Sequence, residues 1–233
     1  MAAMGLDGLI FDKDGTLFDF RATWEAWAMA FLGRVAGGDA AHAAELGAMV
    51  GFDYPGQRFA RDSIVIAGTA AEVAEALMPA LPGRDFAGLL DMLNEEAARA
   101  PQAEAVPLAP LLRRFRGAGL RLGVATNDAE GPARAHLGTA GVDGLFDFIA
   151  GYDSGFGGKP APGQLLAFLD RTGLAPERVA MVGDSLHDLE AGRRAGMRTI
   201  AVLTGMAEEA ELAPHADMVL ADIGAIPAAI GIG

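Results

Sequence analysis

The second half of the chain alternates short apolar runs with amphipathic stretches, and this alternation limits the possible folds most strongly. Strands are predicted at residues 120–125, near 148–150, and at 179–182, 199–203 and 218–220. Helices are predicted at residues 111–117, about 131–139, 163–171 and 188–195. Short apolar runs are typical of strands buried on both faces, and strands that alternate with helices form parallel sheets with right-handed crossovers. The pattern therefore predicts an α/β fold with helices on both sides of the sheet.

One predicted strand, residues 9–11, stands apart near the start of the chain. From Phe18 to Ala100 the pattern is mostly helical, with no convincing strand, because apolar residues recur every three or four positions. Residues 100–110 contain three prolines and predict a stiff, extended connector. We therefore predict a Rossmann-like core made of residues 1–17 and 106–233, with a helical cap inserted over residues 18–105.

The composition argues against several classes of function. The net charge of the 233 residues is −13, which disfavours binding to nucleic acid or to an anionic membrane. There is no cysteine, so thiolate metal sites are excluded. No apolar stretch reaches 18 residues and no basic-then-apolar leader is visible, so a cytoplasmic location is expected. If the substrate is an anion, the site must supply its own positive charge, and a divalent cation held by carboxylates would do so.

Polar residues follow several of the predicted strands or lie in a glycine-rich loop. In chain order they are Asp12 and Asp14, Thr126 and Asn127, Lys159, and Asp184 with Asp188. Ligands of open α/β sheets bind outside the carboxyl ends of the strands, so these side chains are expected to meet at one edge. The lysine is notable because the chain has only two, Lys13 and Lys159, whereas the other 16 of its 18 basic residues are arginines.

These segments, in this order, resemble the haloacid dehalogenase-like (HAD) hydrolase superfamily, in the subgroup with a helical cap between the first and second motifs. The matching segments are 12–17 (DKDGTL), Thr126-Asn127, Lys159-Pro160 and 183–188 (GDSLHD). The resemblance spans nearly the whole chain and implies the HAD fold. It also implies a Mg²⁺-dependent hydrolase similar to phosphoglycolate phosphatases.

The residue types suit phosphoryl transfer, which depends on positioning and charge stabilisation. Asp12 can attack phosphorus and form an aspartyl-phosphate. Asp14 can protonate the leaving alkoxide and then activate water. Mg²⁺ prefers oxygen ligands, which the side chains of Asp12 and Asp184 can supply. The resemblance implies the backbone carbonyl of Asp14 as a third ligand.

The remaining candidates would bind or orient the phosphoryl group. Lys159 can neutralise a phosphoryl oxygen and Asp12. The Thr126 hydroxyl and the Asn127 backbone N–H can donate to other phosphoryl oxygens. Asp188 is open between a contact with the metal through water and the N-cap of the helix that follows.

The leading hypothesis is a phosphatase acting on a small phosphorylated metabolite. A sugar-phosphate mutase of the β-phosphoglucomutase type is the alternative, since it would use the same aspartyl-phosphate. A dehalogenase lacks the second acid, which is present here as Asp14, and a phosphonatase uses a cap lysine, which is absent here. A non-enzymatic switch resembling a receiver domain is disfavoured by the chain length and the helical insert.

Secondary expectations concern side chains around this site. Lys13 is expected to point away from Asp12 and Asp14, because strand neighbours alternate faces. His187 is expected at the surface or supporting the site, and His136 shows no metal-ligand spacing. A stripe at helical spacing is interpreted as cap core and consists of Trp24, Trp27 and Phe31. A loop that could face the site contains Tyr54, Arg58 and Arg61. An arginine in that loop could hold a second anionic group of the substrate, but the preferred interpretation of Arg58 and Arg61 is that they are solvated surface residues.

Overall fold

The computed structural model describes residues 5–232. Up to residue 100 it contains one buried strand followed by helices and a short hairpin. These elements are β1 (Gly8–Phe11), α1 (Phe20–Val35), α2 (Ala40–Met49), β2 (Phe52–Asp53), β3 (Arg58–Phe59), α3 (Ala70–Leu77) and α4 (Phe86–Arg99). The expectation of no strand in this part is wrong, because β2 and β3 pair antiparallel, with Phe52 opposite Phe59. Two-residue strands are too short to show a periodicity in the sequence.

The second half alternates strands and helices as predicted. Its elements are α5 (Leu108–Gly117), β4 (Arg121–Ala125), α6 (Glu130–Thr139), β5 (Phe148–Ala150), α7 (Gly163–Thr172), β6 (Val179–Gly183), α8 (Leu186–Arg194), β7 (Arg198–Val202), α9 (Glu209–Leu212), β8 (Met218–Leu220) and α10 (Ile226–Ile230). The largest shift is at α5, which begins at Leu108 and includes Pro110. Proline is tolerated there because the first backbone N–H groups of a helix have no partner within the helix. The proline-rich connector is correspondingly shorter than predicted.

Six strands form one parallel sheet in the order β5-β4-β1-β6-β7-β8, which confirms the predicted fold class. β1 is central, and its last residue, Phe11, lies beside Val124 of β4 and Val182 of β6. Because the three strands are parallel and in this register, the residues that follow them emerge together at one edge of the sheet.

The buried apolar side chains form separate clusters. One face of the sheet carries a cluster that includes Phe11 and Phe115, and the other face carries one that includes Ile10 and Phe168. A third cluster lies among helices α1 to α4 and includes Phe20. This separation supports the predicted core and cap, but the domain bounds themselves stay a prediction. Within residues 5–232, no helix is both long and apolar enough to cross a membrane.

The packing of β4 on α7 can be tested at Gly123. A Cβ at Gly123 would lie 2.8 Å from Cδ2 of Phe168, whose side chain is fully buried. Gly123→Ala should therefore force the ring to move and lower the free energy of unfolding by about 1–3 kcal/mol, measured in urea.

The matched control is Gly138→Ala in α6. Gly138 is exposed and a Cβ there would have no neighbour within 4 Å. Alanine should stabilise this helix by about 0.5–1 kcal/mol. If both variants are as stable as each other, the close contact between β4 and Phe168 is refuted.

Candidate active site

Three carboxylates meet one ammonium at the carboxyl ends of the central strands. Asp12 follows β1, Asp184 follows β6, and Asp188 lies in the first turn of α8. One oxygen from each of these three side chains lies within 4.8 Å of the others. Lys159 places Nζ 2.7 Å from Oδ1 of Asp12 and 2.6 Å from Oδ1 of Asp188. The structure thus brings together Asp12, Asp184 and Lys159 from three distant segments.

Glycines allow the backbone to approach the carboxylate of Asp184. Gly15 has a φ of +77°, a conformation that favours glycine, and a side chain there would collide with that carboxylate. A side chain at Gly205 would collide with it as well. The hydroxyl of Thr16 donates to Oδ1 of Asp184 over 3.2 Å. The Asp184 carboxylate is therefore held in place by an adjacent hydroxyl and by the lack of side chains beside it.

Burial and like charge shift the pKa values of Asp12 and Asp184 upward. Burial raises the pKa of Asp12 to about 7, the Lys159 ammonium opposes this shift, and the carboxylates of Asp188 and Asp14 add to it. Burial, then the charges of Asp12 and Asp188, also raise the pKa of Asp184 well above its usual value. Burial alone would lower the pKa of Lys159, but Asp12 and Asp188 outweigh it and raise that pKa.

The cluster carries excess negative charge, which a divalent cation would offset. Three carboxylates share one ammonium, and every potential ligand atom among them is a carboxylate oxygen. Hard oxygen ligands suit Mg²⁺, which commonly binds through one or two carboxylates and keeps the rest of its positions for phosphate and water. The side chain of Asp14 lies outside this group of three. The predicted contribution of its backbone carbonyl to the metal site stays a prediction.

Asp188 lies in the carboxylate cluster and is the third residue of α8, so it is not the N-cap of that helix, which is Ser185. Its Oδ2 accepts hydrogen bonds from the backbone N–H of Ser185 at 3.0 Å and from the Ser185 hydroxyl at 2.7 Å, which closes a capping box. Its Oδ1 accepts from Lys159. Sequence reasoning left its role open and missed its pairing with the lysine, although the Ser-x-x-Asp spacing does signal the cap.

The second lysine overturns an expectation. Lys13 does not point away from Asp14: its Nζ lies 2.8 Å and 2.9 Å from the two oxygens of that carboxylate. It also lies 3.2 Å from Oδ2 of Asp128 and 2.9 Å from Nδ1 of His136, and its side chain is fully buried. The alternation of strand faces fails here because β1 ends at Phe11, before the chain reaches Lys13.

His136 links this network to the cap. Its Nδ1 accepts from the Lys13 ammonium, so its Nε2–H donates to the carbonyl oxygen of Ala97 in α4, 2.7 Å away. Burial, and then the Lys13 charge, lower the pKa of His136 to about 4, while Asp14 and the Ala97 carbonyl act in the opposite direction. The imidazole is therefore neutral at pH 7. Sequence reasoning missed Asp128 and His136, since no spacing connects them to Lys13.

Thr126 and Asn127 hold loops together around the site. The hydroxyl oxygen of Thr126 accepts from the backbone N–H of Asp128 at 3.0 Å. The amide of Asn127 donates to the carbonyl oxygens of Ala67 and Lys159 and accepts from the N–H of Lys159. Their predicted contacts with phosphoryl oxygens stay a prediction. Asn127 has an additional structural role, because it joins the lysine loop to the cap.

A cavity of about 660 Å³, counted out to its open mouth, lies between these residues and the cap. The expectation that the helical stripe is cap core is confirmed, because Trp27 and Phe31 belong to the buried cap cluster and Trp24 packs against it. The two tryptophans also line this cavity, which the sequence did not reveal. Half-buried His187 also lines it.

The loop that could have faced the site lies elsewhere. Tyr54 and Arg58 line a separate groove. Arg61 forms ion pairs with Glu208 and Glu211 on the core, at 2.6 and 3.2 Å. Arg58 and Arg61 are both exposed, as the preferred interpretation of surface arginines predicts, and neither lines the cavity.

The fold has a parallel sheet with a helical insert after its first strand. Clustered acids and a lysine lie at the carboxyl edge of this sheet, and the combination is typical of capped α/β hydrolases. The family model for haloacid dehalogenase-like hydrolases matches residues 6–196, and the chain belongs to this family.

The matches to known relatives cover different lengths of the chain. A phosphoglycolate phosphatase of Rhodospirillum rubrum is 39% identical over 100 residues, which are 42% of this chain and 41% of that protein. The match thus spans less than half the length of that relative. An N-acetylmuramic acid 6-phosphate phosphatase of Pseudomonas aeruginosa is 31% identical over 210 residues, 88% of this chain and 85% of that protein. The crystal structure of a predicted phosphoglycolate phosphatase from Haemophilus somnus has a TM-score of 0.75 at 19% identity, covering 95% and 96% of the two chains.

Lys13→Met tests whether the second lysine is essential for stability. Removing the ammonium leaves two acids, Asp14 and Asp128, without their shared cation in a buried setting. The free energy of unfolding should fall by about 3–5 kcal/mol, measured in urea. Adding Asp128→Asn to Lys13→Met should recover part of that loss, since one of the two uncompensated charges is removed.

The matched control removes an exposed ion pair. Arg178 pairs with Asp7 at the surface, where both side chains are about half exposed, so Arg178→Met should change stability far less than Lys13→Met. Equal losses for the two variants would contradict the assignment of Lys13 as a buried counter-ion.

The low pKa of His136 predicts a pH dependence. The folded pKa of about 4 lies below the ordinary value of 6.5, so between these values the unfolded chain binds more protons than the folded one. Stability from this group is full above pH 6.5 and is lost as the pH falls towards 4. From pH 7 to pH 5 the loss should be on the order of 2 kcal/mol.

His136→Gln provides the comparison, because glutamine can also accept from Lys13 and donate to Ala97 but does not titrate. The difference in unfolding free energy between wild type and variant should shrink or reverse from pH 7 to pH 5. A difference that is constant across this range would show that His136 is not held neutral.

Proposed function

We propose that this protein is a Mg²⁺-dependent phosphatase that hydrolyses a small phosphomonoester through an aspartyl-phosphate on Asp12. The observation that carries the proposal is the position of Asp12 on the wall of the cavity. There it lies 2.7 Å from the Lys159 ammonium and within 4.8 Å of the other two carboxylates. Membership of a hydrolase family and two relatives named as phosphatases support it.

Asp12 acts as the nucleophile in this proposal. Its free carboxylate oxygen attacks phosphorus, an O–P bond forms, and the bond from phosphorus to the leaving-group oxygen breaks. The ammonium of Lys159 favours the ionised form of Asp12 and would stabilise charge on the phosphoryl oxygens. Thr126 and Asn127 lie on the same cavity wall, where the Thr126 hydroxyl and the Asn127 N–H would orient those oxygens.

Asp14 moves the protons. Its carboxyl group donates a proton to the leaving alkoxide, which departs as an alcohol. The resulting carboxylate then takes a proton from water as the water oxygen attacks the phosphorus of the aspartyl-phosphate. Inorganic phosphate leaves and Asp12 is regenerated. Lys13 fixes the Asp14 side chain from behind through both carboxylate oxygens.

Magnesium would be held by the side chains of Asp12 and Asp184 and the backbone carbonyl of Asp14, with Asp188 close to them. When bound, it would supply the positive charge that the acids and the incoming phosphoryl group require. These residues suit the binding of Mg²⁺ because their ligand atoms are oxygens and because the single ammonium leaves the cluster negative.

Asp12→Asn and removal of metal test the proposal together. With a panel of phosphomonoesters and Mg²⁺, Asp12→Asn should lower kcat by at least about a thousandfold, since an amide is not a nucleophile. EDTA should abolish phosphate release from the wild type and Mg²⁺ should restore it. Rapid quenching should trap one phosphoryl group on the peptide that contains Asp12.

The matched control is Asp7→Asn, which removes an exposed carboxylate just before β1 and should leave the rate unchanged. Phosphate release that survives Asp12→Asn would refute the nucleophile. Conversion of a hexose 1-phosphate into its 6-phosphate, without phosphate release, would instead indicate the mutase alternative.

A further inference from the structure

The walls of the cavity on the cap side are largely apolar. They are formed by aromatic and aliphatic side chains that include Phe20, Trp24, Trp27, Val65, Val73 and Leu93. The aromatic rings contact one another: Trp24 and Trp27 meet edge to face at 5.1 Å between centroids, and Phe20 stacks on Trp24 at 6.4 Å. This surface faces the position where the leaving group of a phosphomonoester bound at Asp12 would lie.

Positive charge is scarce in the same cavity. Among the described residues that line it, Lys159 is the single lysine or arginine, and it is already paired with Asp12 and Asp188. The one imidazole on the wall, that of His187, has its Nδ1 at 3.3 Å from the carbonyl oxygen of Ala67. A second anionic group on the substrate would therefore meet no free lysine or arginine.

The helix end that faces the cavity does not provide an anion site either. α3 begins after Thr69, and Glu72 already occupies its N-terminus with its own carboxylate. Oε2 of Glu72 accepts from the N–H of Thr69 at 2.7 Å and from its hydroxyl at 3.0 Å. An added carboxylate would be repelled by this charge.

Within residues 5–232, three residues that line the cavity have a buried polar atom without a hydrogen bond: Trp24 (indole Nε1), Asn94 (amide Oδ1) and Asp128 (carboxylate Oδ2). Oδ2 of Asp128 is paired with the Lys13 ammonium at 3.2 Å, which leaves the atoms of Trp24 and Asn94 without a polar partner. By contrast, Nε1 of Trp27 donates to the Leu93 carbonyl oxygen at 3.2 Å. Unpaired buried groups are rare because they are costly, so one donor and one acceptor on an otherwise apolar wall indicate a ligand that carries a hydroxyl.

We propose that the substrate is the phosphate monoester of an uncharged alcohol with an apolar, ring-bearing body and a further hydroxyl, and that the cap selects against a second anionic group. This inference rests on the proposed phosphatase function. It separates this protein from enzymes that act on 2-phosphoglycolate, in which the alcohol carries a carboxylate. The recognition elements are the aromatic wall, the unpaired atoms of Trp24 and Asn94, and the lack of a free cation.

A matched pair of substrates tests the selection directly. Benzyl phosphate and 2-phosphoglycolate share a CH₂–O–phosphate group and differ in carrying a phenyl ring or a carboxylate, and ethyl phosphate carries neither. With Mg²⁺, kcat/KM for benzyl phosphate should exceed that for ethyl phosphate by roughly tenfold, because the ring is buried. The value for 2-phosphoglycolate should be at least about tenfold below that of ethyl phosphate.

The hydroxyl is tested with a second pair. 4-(Hydroxymethyl)benzyl phosphate should be preferred over benzyl phosphate by roughly tenfold, and Asn94→Leu should remove that preference while keeping the preference for benzyl over ethyl phosphate. An equal rate for the two benzyl esters in the wild type would overturn the assignment of a hydroxyl.

Adding a positive charge to the wall provides a gain-of-function test. Ile66 is half-buried and lines the cavity, so Ile66→Arg should raise the ratio of kcat/KM for 2-phosphoglycolate over benzyl phosphate by at least about tenfold. The matched control is Ile64→Arg, because Ile64 is 39% exposed and lies outside the cavity lining. Ile64→Arg should leave the ratio unchanged.

Binding supplies a readout that is independent of turnover. The two tryptophans of the chain are both on this wall, so intrinsic fluorescence reports on the cavity. Asp12→Asn should show saturable fluorescence changes with benzyl phosphate and none with 2-phosphoglycolate at the same concentrations. If no phosphomonoester is hydrolysed, the proposed function fails; if the enzyme is active but prefers 2-phosphoglycolate, the substrate inference alone is overturned.

Discussion

The site depends on two buried lysines that each pair with two carboxylates. Lys159 pairs with Asp12 and Asp188, and Lys13 pairs with Asp14 and Asp128. Without them, Asp12 and Asp14 would carry uncompensated charge at the end of a fully buried strand, which is strongly unfavourable. The use of lysine is consistent with this geometry, because a compact ammonium with three donors can reach separate acceptors in a confined space. The 16 arginines are distributed elsewhere, and those that form ion pairs do so at exposed positions.

The two pairings have different consequences. Lys159 leaves the cluster of Asp12, Asp184 and Asp188 with excess negative charge, which favours the binding of a divalent cation. The Lys13 network is closed, because His136 accepts from its ammonium and donates in turn to Ala97 of the cap. The acid proposed to move protons is therefore held by a chain of contacts that ends in α4, so the position of the cap and the orientation of Asp14 are physically connected.

The sheet and the convergence of the site could be predicted from the sequence because both follow from local patterns. Buried parallel strands appear as short apolar runs, and a register that aligns Phe11 with Val182 brings the residues after each strand to one edge. The Lys13 network could not be predicted, since its partner His136 lies 123 positions away. The role of α1 was also hidden: its apolar residues are spread around the helix, so the periodicity does not distinguish the side that packs in the cap from the side that walls the cavity.

The apolar cap and the charged core reinforce each other. Aromatic walls reduce the access of water to the cavity, and lower water access strengthens every interaction between charges at its base. The same walls would raise the penalty for any carboxylate without a partner, which explains why each acid at the base is paired, capped or hydrogen-bonded. The proposed preference for a leaving group that brings no charge of its own has the same origin, because Lys159 and Lys13 are already paired with the acids that are proposed to perform the chemistry. The proposed chemistry of the core and the proposed selectivity of the cap thus follow from one constraint, the placement of few positive charges among many negative ones.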